Sequence, residues 1–192
     1  DYKIALITDS TCDIPQALRE QYAINVAPLS IIWGHEQLRE GVDIQPDEFY
    51  ARLVADPTYP TTSQPTPQDF LHLYQQAQHD GAQEIVAITI SSAMSGTYES
   101  ARLASTMIDT PVHLVDSKSN SMSLGWQVLA AARAREAGGD VGAMVAAADA
   151  ARKSMVYIIT LDTLEYLQKN GRIGRATAFI GGLLSIKPIM SI

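Results

Sequence analysis

Four short apolar runs, with helical patterns between them, constrain this chain more than any other feature of its sequence. Residues 3–8, 84–90, 112–115 and 155–161 are rich in β-branched side chains and have few polar interruptions. Such near-continuous runs belong to strands buried on both faces. Buried strands alternating with helices imply parallel βαβ units and a doubly wound, Rossmann-like α/β sheet with helices on both faces.

The punctuation between the runs fits this reading. Asp13 and Pro15 suit the start of a helix that ends near Tyr22. Residues 24–33 read as extended, with Pro28 marking an edge strand or a break. Gln45-Pro46-Asp47-Glu48 opens a helix through about Ala55, with its acids where the helix dipole favours them. Residues 56–67 hold four prolines and form the longest irregular stretch, which excludes helix and central strand. Thr66-Pro67-Gln68-Asp69 then has the form of a helix cap, a first-turn proline and an acid at the third position. Further helices are expected from Ser91-Ser92-Ala93-Met94-Ser95-Gly96-Thr97 to about Met107, over 122–137, 141–153 and 163–169, and over the apolar stretch 176–184 around Gly181-Gly182.

Composition narrows the function classes. The 192 residues carry a net charge of −7, only 18% are charged, and no apolar run is long enough to span a bilayer. Stable membrane insertion is not expected; transient membrane contact stays open. One cysteine, Cys12, and the lack of an export signal suggest a reducing, cytoplasmic setting. Residues 1–100 hold 4 basic and 14 acidic side chains, and residues 101–192 hold 10 and 7. This balance disfavours nucleic acid, which needs a broad basic face. It leaves a local basic patch around Gly171-Arg172-Ile173-Gly174-Arg175, able to bind a phosphate or an acidic partner surface, or simply to cap residues 167–169.

Candidate chemistry gathers where the strands end, because ligands of such sheets sit beyond the carboxyl ends of the strands. Asp9, Ser10, Thr11 and Asp13 follow the first run; Ser91, Ser92, Ser95 and Thr97 follow the second; Asp116 and Ser117 follow the third. Thr61, Thr62 and Ser63 in the proline-rich stretch complete a ring of hydroxyls. A strand-to-helix junction offers free N–H groups to an anion, although serines and threonines are also ordinary helix caps. Asp9 and Asp13 suit caps as well as ligand contacts. Cys12 suits a packed small residue better than a nucleophile. No glycine-rich nucleotide loop, no nucleophile elbow and no metal-ligand spacing of the four histidines is present.

Seven segments stand in an order that resembles the DegV family: Thr8-Asp9-Ser10-Thr11-Cys12-Asp13, Thr62-Ser63-Gln64-Pro65, Ser91-Ser92-Ala93-Met94-Ser95-Gly96-Thr97-Tyr98, Val115-Asp116-Ser117, Leu164-Glu165-Tyr166-Leu167, Gly171-Arg172-Ile173 and Leu184-Ser185-Ile186-Lys187-Pro188. The resemblance implies a bacterial, non-catalytic protein that holds one long-chain fatty acid between an α/β domain and a smaller C-terminal domain. It implies no cofactor. It also implies a partner, a fatty-acid kinase related to dihydroxyacetone kinases, which phosphorylates the presented carboxylate so that the acyl phosphate enters phospholipid synthesis. By the same resemblance, Thr62, Ser63, Ser92 and Ser95 bind the carboxylate, and Arg172, with Arg175 beside it, belongs to the docking face. Asp9, Ser10, Asp116 and Ser117 form a second candidate site, which would serve a small-molecule enzyme if the lipid reading failed. A third reading is an interaction module working through the arginine patch alone. Family members continue well past Lys187-Pro188. The expected division is therefore an α/β domain over 1–161 and the start of a C-terminal lid domain over 162–192.

Overall fold

The computed structural model describes residues 2–174, 187 and 189–191. It divides into two compact units, Asp1–Ser154 and Met155–Ile192.

The first unit is built on a parallel sheet. Strands β1 (Ile4–Asp9), β2 (Ile24–Ala27), β6 (Glu84–Thr89) and β7 (Val112–Asp116) lie in the order β2-β1-β6-β7, and every pairing is parallel. β1 and β6 occupy the centre, and five of the six residues in each are buried, which is why their sequences read as unbroken apolar runs. On one face, Leu6, Val86 and Ile88 pack against α5 (Ser121–Glu136) and α6 (Val141–Ser154) through Leu124, Val128, Leu129 and Met144. On the other, Ile7, Ile85 and Ala87 meet α3 (Pro67–His79) and α4 (Thr97–Ser105) through Phe70, Tyr74, Ala101 and Ala104. This is the doubly wound α/β architecture that the alternation of runs implies.

A second, antiparallel sheet of order β4-β3-β5 is formed by β3 (Ser30–Trp33), β4 (Glu36–Arg39) and β5 (Thr61–Ser63). The stretch 24–33 is therefore two strands in two sheets, parted at Pro28, where a missing N–H and a fixed φ end the ladder. Gly34, at φ 62, turns β3 into β4. β5 shows that the proline-rich stretch is not wholly irregular, but it is short and at a sheet edge, as its flanking prolines require. Trp33 is buried under α2 (Pro46–Ala55), edge-on to Phe49 at 5.5 Å, with the Arg52 guanidinium 4.3 Å over its ring.

Local chemistry explains several boundaries. Thr66 and Asp69 form the expected reciprocal cap of α3: the Asp69 N–H donates to Thr66 Oγ1 at 3.2 Å, and the Thr66 N–H donates to Asp69 Oδ2 at 2.7 Å. Asp13 does not cap α1 (Gln16–Gln21); Pro15 holds that position without a side-chain bond. Asp13 instead takes a left-handed conformation at φ 52, and its carboxylate accepts from Ser121 Oγ at 2.6 Å. Gly125 on α5 faces the 3-10 turn Ser10–Cys12, where a Cβ would lie 2.5 Å from the Cys12 carbonyl. At the opposite end of the sheet the buried Arg135 donates to the carbonyls of Ile4, at 3.0 Å, and Tyr22.

In the second unit, β8 (Ile158–Thr160) pairs antiparallel with β9 (Ile189–Ser191), and α7 (Glu165–Lys169) lies between them in sequence. The run 155–161 is thus a three-residue strand of a separate two-stranded sheet rather than a fifth strand of the parallel one. The expected helix over 176–184 lies outside the described residues.

Candidate functional site

The sheet order puts the topological switch point at the carboxyl ends of β1 and β6, where the chain winds away in opposite directions, the usual place for a ligand in such sheets. Asp9 ends β1 and is fully buried. Its carboxylate accepts from the Ile90 N–H at 2.7 Å, across the β1–β6 junction, and from the Thr11 N–H at 3.0 Å and hydroxyl at 2.5 Å. Burial pushes the Asp9 carboxyl above the usual carboxylate range, against these bonds. Asp9 therefore ties the two central strands together and caps the 3-10 turn.

The Ser10 hydroxyl accepts from the Leu29 N–H at 2.9 Å and donates to Glu40 at 2.5 Å. Burial raises the Glu40 carboxyl, and Asp13 and Asp9 add to it. Sequence reasoning does not single out Glu40: a lone acid after the polar strand β4 carries no periodic signal. The Cys12 thiol is buried and pushed up to about 12 by that burial, so at neutral pH it is a packed thiol and not a nucleophile. Among the described residues no group of three or more His, Cys, Asp or Glu could hold a metal ion.

Beyond β6 the chain turns at 91–96 before α4. Ser91 is buried, and its N–H donates to the Ser119 carbonyl at 2.8 Å. Ser92 is exposed, and both its donors point at the end of β7: its hydroxyl reaches Asp116 Oδ2 at 2.6 Å, and its N–H reaches Oδ1 at 3.2 Å. The Lys118 N–H donates to the same Oδ1 at 2.9 Å. Ser95 Oγ accepts from the Thr97 N–H at 3.3 Å and lies 2.8 Å from Thr97 Oγ1. Ser117 faces inward, fully buried. Its hydroxyl donates to the Ser119 carbonyl at 3.1 Å, and its own carbonyl accepts from Gln127 at 3.1 Å. Gln127, buried in α5, gives no signal in the sequence because an amide inside an apolar helix looks like an ordinary polar face.

Two of the hydroxyl-bearing segments meet. A Cβ on Gly96 would lie 2.9 Å from Gln64 Nε2, so the segment after β5 rests against the turn after β6. Thr62 is exposed on β5 and paired in register with Ile31; Ser63 is half-buried beside it. Arg172 is exposed, and its guanidinium donates to the Asn170 carbonyl at 2.7 Å. Arg175 lies outside the described residues. Asp9, Asp116 and Ser117 thus brace the strand ends, while Ser92, Ser95, Thr62 and Ser63 lie on the two segments that Gln64 and Gly96 bring together.

A profile of the DegV family, described as uncharacterised protein, matches residues 3–192. The chain belongs to the DegV family. A DegV domain-containing protein of Mycobacterium tuberculosis is 36% identical over 190 residues, covering 98% of this chain and 66% of the relative. One from Streptomyces coelicolor is 35% identical over 189 residues, with 98% and 67% covered. The chain thus spans about two thirds of the length of the curated DegV relatives it matches. Among solved structures it is similar to a fatty-acid-binding DegV family protein from Thermus thermophilus, at 36% identity and a TM-score of 0.89, with 98% of this chain and 67% of that one covered. It is also similar to DegV from Bacillus subtilis, described as a fatty acid binding protein, at 32% identity and a TM-score of 0.89, with 100% and 68% covered. A stearic-acid-binding protein from Eubacterium ventriosum shares 30% identity at a TM-score of 0.85, with 100% and 67% covered.

Proposed function

We propose that this chain takes a long-chain fatty acid with its carboxyl group at the Thr62–Ser63 and Ser92–Ser95 segments, and that the protein presents it to a fatty-acid kinase. The observation that carries the binding reading is the fold likeness, at a TM-score of 0.89, to DegV proteins described as binding fatty acids. The contact of Gln64 with Gly96 supports the placement of the carboxyl group, because it joins two hydroxyl-bearing segments at the carboxyl edge of the sheet. Hydroxyls suit such a role, because each can both donate and accept a hydrogen bond and so can hold a carboxyl group without a counter-charge. A non-catalytic role agrees with the neighbouring acids, since Asp9 and Asp116 are committed to backbone and hydroxyl donors.

Native mass spectrometry of the purified full-length protein, followed by organic extraction, is expected to release a fatty acid of the C16–C18 class that the family resemblance implies. A protein that is empty in repeated preparations and takes up neither palmitate nor oleate would overturn the reading. The kinase partner has its own test. Arg172→Glu should lower acyl-phosphate formation in a reconstituted assay with the kinase by about tenfold, the scale of one lost charged contact at an interface rim, with extracted lipid unchanged. Equal turnover by both proteins would remove Arg172 from the docking face.

A further inference from the structure

We infer that Asp116 is a positioning residue that turns Ser92 into a hydrogen-bond acceptor, so that the site takes its ligand as the protonated carboxylic acid. This rests on the fatty-acid reading above and deepens it.

An ionised carboxylate has lone pairs and no proton to give. The 2.6 Å contact between Ser92 Oγ and Asp116 Oδ2 must therefore carry the serine's own hydrogen. The hydroxyl is held there by two further bonds to the same carboxylate, from the N–H groups of Ser92 and Lys118. Lys118 keeps its place at φ 53, a conformation that costs a non-glycine residue energy. What Ser92 offers outward is thus a pair of lone pairs. A carboxylate meeting them would face acceptor against acceptor, with the negative charge of Asp116 one hydroxyl away, and a nearby like charge disfavours the second ionisation. A carboxylic acid supplies the missing donor: its O–H points to Ser92 Oγ, and its carbonyl remains free for a hydroxyl such as that of Thr62. The other charged groups on the neighbouring elements are the exposed Lys118 in the same turn, Asp9 at the end of β1, the Glu99–Arg102 pair on α4, and the His113–Glu84 pair nearer the start of β7 and β6. Of these, Lys118 is the cation in the same turn as Asp116, and its charge opposes the effect.

Carbon-13 NMR of the full-length protein loaded with palmitate labelled at its carboxyl carbon reads the ionisation directly. The bound carboxyl is expected to titrate well above the ordinary carboxylate range of about 4 to 5. In Asp116→Asn, whose amide can donate to Ser92 and release its hydroxyl, the midpoint is expected to fall by about one pH unit or more. An ordinary midpoint in the parent protein, or the same midpoint in the variant, overturns the inference. No bound resonance at any pH would instead strike the fatty-acid reading itself. A second measurement needs no variant. Oleyl alcohol keeps an O–H at every pH and should bind with a pH-independent affinity, at least about tenfold tighter than methyl oleate, which leaves the Ser92 acceptor without a donor. Equal binding of the alcohol and the ester also overturns the inference.

Discussion

Asp9→Ala is expected to destabilise the first unit by about 3 kcal/mol. The carboxylate removed is fully buried and accepts three hydrogen bonds. The half-exposed Thr11 hydroxyl can find water, but the N–H groups of Ile90 and Thr11 cannot easily do so, and each orphaned buried donor costs roughly 1–3 kcal/mol. The loss is partly offset because a desolvated charge disappears with the side chain. Asp9→Asn separates the two effects. Its single carbonyl oxygen serves some of the donors but not all, so a loss smaller than that of the alanine variant is expected. The pH dependence then runs in a definite direction. Burial raises the folded Asp9 carboxyl above its unfolded value of about 3.9. The folded chain therefore holds this proton to a higher pH than the unfolded one. That contribution is fully present below about pH 4 and fades as the pH rises through the folded value. The asparagine variant lacks this titration, so the stability gap between parent and variant should narrow as the pH rises from about 4. Urea unfolding followed by tryptophan fluorescence measures this, since Trp33 and Trp126 both lie in the first unit. A change under about 0.5 kcal/mol for the alanine variant, or a gap that widens with pH, would show that the brace is not made as described.

The second large effect falls on Gly125. A valine there would drive its Cβ to 2.5 Å from the Cys12 carbonyl, with Met122 Sδ at 3.0 Å and Ile14 Cγ1 at 3.1 Å. The first of these neighbours is backbone, in the turn that also carries Ser10, and it yields only if the turn moves. Overpacking of this kind costs about 1–3 kcal/mol, and the few tenths that valine gains over glycine in helix propensity offset little of it. A loss of about 3 kcal/mol is expected for Gly125→Val, read as a lowered urea midpoint by circular dichroism. Gly142→Ala is the control. Its Cβ would meet only the Asp140 side chain, at 3.3 Å, and the gain in helix propensity makes it neutral or slightly stabilising. Equal behaviour of the two variants would mean that α5 has room to retreat from the turn.

What can be read from the sequence follows from how local each signal is. The central strands announce themselves because burial on both faces leaves no place for polar residues. The cap at Thr66 and Asp69 is written within four residues, and it forms. β4 escapes such a reading because Glu36-Gln37-Leu38-Arg39 is polar enough to pass for a turn, and its pairing comes from the hairpin at Gly34. The division at Pro28 is visible as a break, but nothing local says that the two sides enter different sheets. The hydroxyls at the strand ends are equally visible as residues, yet their engagements are not. Asp9 finds its Ile90 donor 81 residues away, and Ser92 finds Asp116 24 residues away. Periodicity carries no information about such pairs. Asp9 and Ser117 accordingly read as possible ligand contacts and turn out to be internal braces.

The placement of Thr62 and Ser63 has a consequence for how relatives can diverge. These residues ride on the small antiparallel sheet, whereas Ser92 and Ser95 extend from the parallel one, and a glutamine side chain lying on a glycine sets the gap between them. The arrangement works like a calliper with one fixed jaw and one adjustable jaw. A change at Gln64 or Gly96 alters the opening while leaving the strands of both sheets untouched. Under the proposed placement of the carboxyl group, head-group fit can therefore drift in small steps through these two positions alone.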